Sequence, residues 1–261
     1  MDNGENIFSL KGKTALLTGG AGLYGTPIAD ALAFAGAKLY IASRDLDNLE
    51  QTARNLCEKG ADVTAKKLDL SDEQSILALC DDIYRESGSV DILVNNAVAR
   101  VMPSFDAPAE AFELSMHINI TGTFLISRAF GNRMAECGSG SIINISSIQG
   151  HVGPEPALYE GTQMLSLIPD YFVHKGGMEQ MTRFMASYYG QRGIRCNSVV
   201  PGGLYTEKTN PIFLERYSKK TMLGRMANTE DIKGVIVFLA SDASAYITGA
   251  SIPVDGGYLA K

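Results

Sequence analysis

Tyr171 and Lys175 stand four residues apart in the run YFVHK, a spacing that puts both side chains on one face if the segment is helical. A phenol has a reference pKa of about 10 and is a poor acid or base at neutral pH. A neighbouring ammonium favours the phenolate and brings the hydroxyl toward useful proton transfer. A Tyr-x-x-x-Lys pair is common by chance. Its position gives it force, because it opens a helix-like stretch (Tyr171 to Tyr189) that follows the apolar run SIINIS at 141–146. His174 stands beside Lys175 and is a conceivable second base. A packing role fits it better, because the face of Tyr171 and Lys175 already carries the chemistry.

A second cluster lies near the N-terminus. TGGAGLYG at 18–25 contains Gly20, Gly22 and Gly25 in the spacing G-x-G-x-x-G, directly after an apolar run and at the start of a helix-like one. Glycines let a backbone turn sharply and approach a pyrophosphate, and the helix N-terminus then offers free N–H groups to it. The second apolar run ends at Ser43-Arg44-Asp45, about 20 residues past the glycines, where an acid would bind the ribose hydroxyls of NAD. Ser43 leaves room for a 2′-phosphate instead, and the Arg44 guanidinium can grip one through two hydrogen bonds. NADP(H) is therefore the favoured cofactor. NAD(H) stays open as the alternative, since one residue of register would place Asp45 at the ribose.

These residues need a frame. Short apolar runs at 13–18, 38–43, 63–68, 91–96, 141–146, 194–199 and 250–254 alternate with amphipathic stretches. The stretches run from Thr26 to Ala35, Leu46 to Lys59, Asp72 to Glu86, Phe112 to Met134 and Tyr171 to Tyr189. Such alternation predicts an α/β fold, a Rossmann-type doubly wound parallel β-sheet flanked by helices on both faces. One domain over 1–261 is expected, since no linker or repeat interrupts the chain. Two irregular stretches, 148–170 and 203–224, break the rhythm and are expected to shape a substrate pocket.

With these motifs the chain resembles the short-chain dehydrogenase/reductase family along nearly its whole length. The resemblance rests on TGGAGLYG, LDL at 68–70, NNA at 95–97, NITGTF at 119–124, NISSIQG at 144–150, YFVHK, RCNSVVPGGLYT at 195–206 and ITGASIPVDGG at 247–257. It implies a catalytic tetrad. Tyr171 would be the acid/base, and Lys175 would hold the nicotinamide ribose. Ser147 would hydrogen-bond the substrate oxygen, and Asn119 would hold a water in a proton relay to Lys175. Of the two adjacent serines, strand alternation lets only one, Ser147 rather than Ser146, reach the site. The resemblance also implies a cofactor groove. Gly20, Gly22, Leu23 and Tyr24 would lie in the loop, and Asp69 and Leu70 at the adenine. Asn95 and Ala97 would line the cleft beyond the fourth strand. Pro201, Gly202, Leu204 and Thr206 would hold the nicotinamide. A homotetramer is implied as well.

Three features depart from the family pattern. Leu23 sits where the middle glycine is expected, Val98 replaces the glycine after NNA, and the stretch between Ser147 and Tyr171 is long. The loop and the run YEGT at 159–162 resemble a minority branch, some of whose members act on sugars. The expected reaction is hydride transfer between NADP(H) and a polar carbonyl or secondary alcohol, and the branch resemblance adds a sugar, sugar acid or polyol as a candidate for it. Within 151–170, Glu155, Tyr159, Glu160, Thr162 and Gln163 are expected at the pocket mouth, with Leu165, Leu167 and Ile168 as an apolar anchor.

Bulk properties narrow the class further. A net charge of -6 without a basic block argues against nucleic-acid or membrane-surface partners. No apolar run of about 18 residues exists, and the acidic, polar N-terminus is unlike a secretory signal. Four scattered cysteines and three distant histidines lack metal-ligand spacing, so no metal site and a reducing, cytoplasmic compartment are expected. A nucleotide-sugar dehydratase or epimerase would need a larger substrate domain. A non-catalytic NADP(H)-sensing Rossmann protein would have no need of the tetrad.

Overall fold

The computed structural model describes residues 6–164 and 168–261. Seven parallel strands form one sheet in the order β3-β2-β1-β4-β5-β6-β7. They are β1 (Thr14–Thr18), β2 (Lys38–Ser43), β3 (Val63–Lys67), β4 (Ile92–Asn95), β5 (Gly140–Ile145), β6 (Ile194–Pro201) and β7 (Ser251–Val254). The central strands are apolar without alternation because helices cover both faces. All five residues of β1, TALLT, are buried, as are all four of β4.

On one face Leu17, Ile41 and Val94 pack under α1 (Gly25–Phe34), α2 (Leu46–Cys57) and α8 (Lys233–Ala240). On the other, Leu16, Leu93 and Ile142 pack under α3 (Glu73–Ser87), α5 (Thr123–Cys137) and α6 (Pro169–Tyr189). Each fully buried Leu or Ile contributes roughly 1.5–3 kcal/mol over its exposed state. The strand order reverses direction between β1 and β4. That leaves a crevice at the carboxyl ends of the strands, where such folds bind ligands.

The stretch from Phe112 to Met134 is not one helix. It divides into α4 (Ala109–Met116), a π-helical turn over His117–Gly122, and α5. At Gly122 a Cβ would lie 2.3 Å from the Leu70 carbonyl oxygen, so the missing side chain lets this turn press against the loop after β3. The region 203–224 is also more regular than expected. It contains α7 (Pro211–Lys220), with Pro211 in the first turn and the Asn210 carboxamide oxygen accepting from the Ile212 and Phe213 amides. A third apolar cluster, Ile148, Leu158, Val200, Phe213, Tyr217 and Met226, binds the two irregular stretches to the sheet end.

Candidate active site

A cleft of about 750 Å³ opens at the switch point, lined by the loops that follow β1 to β6. The glycine loop forms its floor. Gly19 has φ +69°, and a Cβ there would meet the Ala97 Cα at 2.9 Å. At Gly25 a Cβ would fall 1.9 Å from the Gly19 carbonyl oxygen, and at Gly20 it would strike Ile41 at 2.7 Å. Gly20 does not line the cleft, so its bareness serves packing against β2, not contact with a ligand. Gly22, Leu23 and Tyr24 do line it. The Tyr24 hydroxyl donates to the Gly202 carbonyl at 2.8 Å, and Gly203 N–H donates to the Tyr217 hydroxyl at 2.6 Å. These two bonds brace the loop after β6, where Pro201, Gly202, Leu204 and Thr206 also line the cleft.

On the other side of the switch point, Ser43, Arg44, Asp69 and Leu70 line the cleft. Arg44 is exposed and has no hydrogen-bond or ion-pair partner among the described residues. The Asp45 carboxylate accepts from the Asn48 amide at 3.2 Å and caps α2. Asp69 accepts from the Ser71 hydroxyl and amide, which holds its carboxyl below the ordinary range, with Arg44 and Lys67 assisting. Ala97 lines the cleft but Asn95 does not. Asn95 shares the side of Leu93 in the alternation of β4, and its amide donates to Ser127 and Asn144 at 2.8 Å each. The next residue, Asn96, faces the cleft instead, donating to the Thr18 and Gly19 carbonyls at 3.1 and 3.0 Å.

Ser147, Tyr171 and Lys175 meet in this cleft. Ser147 begins a short 3-10 turn and its oxygen accepts from the Gln149 amide at 3.2 Å, which leaves its own proton to donate. Ser146 also borders the cleft, but its hydroxyl is used on the Lys175 carbonyl at 3.2 Å. Lys175 is fully buried and donates to the Ile145 carbonyl at 2.6 Å, its one acceptor among the described residues. Burial drives its pKa down to about 7, the Arg100 charge adds to this, and Glu179 opposes it. The Tyr171 ring lies 5.7 Å from the Lys175 ammonium and 4.3 Å from the Arg100 guanidinium. His174 touches the Tyr171 ring edge-on but does not reach the cleft. Burial, then the charges of Lys175 and Arg100, take its pKa down to about 3, so it is a neutral packing residue at ordinary pH.

Asn119 sits in the π turn, behind the cleft wall. Its carboxamide accepts from Ala99 N–H at 2.8 Å and donates to Ala99 C=O at 2.9 Å. It also donates to Ser115, whose hydroxyl donates to the buried Asp170 carboxylate at 2.5 Å. Both amide hydrogens are spent on these partners, so a relay water would have to donate to an oxygen of Asn119, of which the main-chain one also accepts from Thr123. Asn119 therefore fixes the loop after β4 and, through Ser115 and Asp170, the start of α6.

A family model described as enoyl-(acyl carrier protein) reductase matches residues 24–259. D-threitol dehydrogenase of Mycolicibacterium smegmatis is 34% identical over 262 residues, spanning 97% of this chain and 95% of its own. The 2-dehydro-3-deoxy-D-gluconate 5-dehydrogenase of Bacillus subtilis is also 34% identical, spanning 98% of both. A gluconate 5-dehydrogenase from Burkholderia cenocepacia, solved in complex with NADP and tartrate, superposes with a TM-score of 0.87 at 29% identity over 98% of each chain. The chain belongs to the short-chain dehydrogenase/reductase family. It is an oxidoreductase of the nicotinamide-dependent kind.

The cleft of this dehydrogenase/reductase fits a nicotinamide dinucleotide on its own chemistry. The glycine loop meets the N-terminus of α1, Arg44 is a guanidinium with no partner among the described residues, and Lys175 has ammonium donors to spare. Among the described residues no group of acids, histidines or cysteines could hold a metal, and no helix is long and apolar enough to cross a membrane. Among the described residues of the long segment 151–170, Tyr159 and Met164 alone line the cleft. Glu155 pairs with Lys220 and Tyr258, and the Thr162 hydroxyl bonds the Tyr159 carbonyl. The carbonyls of Ala157 and Glu160 accept from Arg216 on α7. Glu160 and Gln163 are exposed and off the cleft. The observed anchor is Leu158. Leu165 and Leu167 lie outside the described residues. Thr18, Asn96, Arg100 and Asp170 were not singled out from sequence. Of these, only Asn96 had a signal, its place one residue along an alternating strand.

Proposed function

We propose that this enzyme interconverts a secondary alcohol and its ketone on a small polyhydroxylated molecule, a sugar, sugar acid or polyol, with NADP(H) as the preferred cofactor. The convergence of the free Ser147 proton, the Tyr171 hydroxyl and the buried Lys175 ammonium on one cleft carries this reading. Bound in the cleft, the nicotinamide ring supplies or accepts the hydride at its C4. Tyr171 passes a proton to or from the substrate oxygen. Ser147 donates a hydrogen bond to the same oxygen, strongest where charge develops. Lys175 holds the ribose with the donors that Ile145 leaves free and supports proton transfer at Tyr171. Gly22, Leu23, Tyr24, Ala97, Pro201, Gly202, Leu204 and Thr206 hold the rest of the cofactor, with Asp69 and Leu70 at the adenine. Asn119 acts as a positioning residue.

The NADP(H) preference is supported by Arg44, unpaired among the described residues, and by Asp45, whose carboxylate is turned to its own helix. The substrate class is supported by the threitol-, gluconate- and dehydrodeoxygluconate-named relatives. Exposed Phe184, Tyr188 and Leu114 on α6 and α4 support self-association, which we assign to a homotetramer. Four free cysteines support a reducing, cytoplasmic setting. A panel of sugars, sugar acids and polyols, run with both cofactors and followed at the reduced-nicotinamide absorbance, tests the reading. Turnover of none of them with either cofactor would overturn it.

A further inference from the structure

We propose that the substrate of this cleft carries a carboxylate, held by Arg100 beside the reacting hydroxyl. This rests on the hydride-transfer reading and narrows its substrate. Arg100 follows β4, and the Asn119 amide grips both backbone groups of the preceding Ala99. The chain is therefore fixed where the arginine leaves it. The guanidinium lies 4.3 Å from the Tyr171 ring centroid, at the group that moves the proton. Among the described residues it has no ion-pair or hydrogen-bond partner. Arg54, Arg85, Arg128 and Arg225 each pair with a carboxylate.

The charge balance of the cleft points the same way. The loops after β4, β5 and β6, with the start of α6, bring three charged side chains to its lining: Arg100, Lys175 and Lys208. All three are basic and none is an acid, in a chain whose net charge is -6. The acids that line the cleft, Asp45 and Asp69, follow β2 and β3 on the far side of the switch point. The Arg100 charge is felt inside the site, where it helps to hold down the proton affinities of Lys175 and His174. A substrate carboxylate would neutralise it through a two-pronged hydrogen bond that a guanidinium makes well. A neutral polyol would cover the same charge without compensation. Gln149 and Tyr159 also line the cleft and bring polar groups to it for the substrate hydroxyls.

The test pairs acids with matched neutral alcohols. D-gluconate, D-galactonate and L-threonate are each assayed with NADP+ beside sorbitol, galactitol and L-threitol. The best aldonate should exceed its alditol in kcat/KM by at least about tenfold, and Arg100→Gln should shrink that ratio by about tenfold or more, mostly through KM. Arg100→Lys should restore part of the ratio. Arg100→Met repeats the test should the glutamine variant not fold. An alditol that equals or beats every aldonate overturns the proposal. So does an equal loss on acids and alditols in Arg100→Gln, which would mean that the arginine acts on Tyr171 alone. If no panel member turns over, the hydride reading loses its support but the anion reading is still decided. Calorimetric titration of sodium D-gluconate and sodium tartrate into the enzyme with NADP+ should show binding that Arg100→Gln weakens at least about tenfold. No binding, or binding indifferent to the substitution, refutes it.

Discussion

Replacing Arg44 by alanine should separate the two nicotinamide cofactors. In the folded chain Arg44 is exposed at the cleft edge and unpaired among the described residues, while Asp45, the acid that could serve NAD, is engaged as the cap of α2. A charge-assisted hydrogen bond to phosphate is worth about 1.5–3 kcal/mol. Solvent at this open edge screens the contact, so the lower end applies, and 1.4 kcal/mol is a factor of ten. NADPH affinity in Arg44→Ala should therefore fall about tenfold, and NADH affinity by less than about twofold. Fluorescence titration of the reduced cofactors measures both without knowledge of the substrate. Raising the salt concentration should weaken NADPH in the wild type more than in the variant. Equal losses for the two cofactors, or equal wild-type affinities, would refute the assignment of a 2′-phosphate to Arg44.

Gly25→Ala places a Cβ 1.9 Å from backbone and should destabilise by at least about 1–3 kcal/mol, with cofactor binding lost, whereas Gly22→Ala meets its nearest atom at 3.2 Å and should keep most of the stability while weakening NADPH. Thermal melting and NADPH titration compare them, and a similar fall in Tm from the two would contradict the packing account. The Lys175 pKa falls from 10.5 to about 7 on folding, so between those values the unfolded chain holds the extra proton and stability rises with pH. The Tm of the cofactor-free protein should climb more steeply over that range in the wild type than in Lys175→Met, and matching slopes would count against the burial of its charge. Trimming 152–163 to a glycine–serine link removes the Leu158 anchor and the Tyr159 wall, and should lower kcat/KM at least about tenfold with oligomeric mass unchanged on light scattering. Dissociation with full activity in the assembled fraction would assign the segment to assembly instead.

The sheet was legible because its strands are short continuous apolar runs, such as TALLT and ILVN, bounded by turn residues. The π turn was not, because a change from four- to five-residue hydrogen bonding leaves the apolar pattern of 112–134 nearly intact. The stretch 203–224 reads as irregular although it contains α7, and a proline opening a helix after an asparagine cap, as at Asn210-Pro211, is a start signal. The same rule identifies Asp45 as the cap ahead of Leu46, and its position at the strand tip drew the reading toward ribose. Asn95 was assigned to the cleft through a one-residue ambiguity that only the pleat of β4 resolves. The polar side chains of 151–170 are expected at the pocket by composition alone, and composition cannot tell a pocket from a helix such as α7, whose Lys220 pairs with Glu155.

The most direct measurement of the central claim is single-turnover reduction of NADP+ by the best panel substrate in the wild type and in Tyr171→Phe. The substitution removes only the hydroxyl from a ring held by Arg100 and His174, so NADPH affinity and Tm should stay close to wild type. The rate of the chemical step should fall by about 10²–10⁴, the usual worth of a positioned proton-transfer group. A variant that keeps at least half of the wild-type rate would show that the proton moves through some other group.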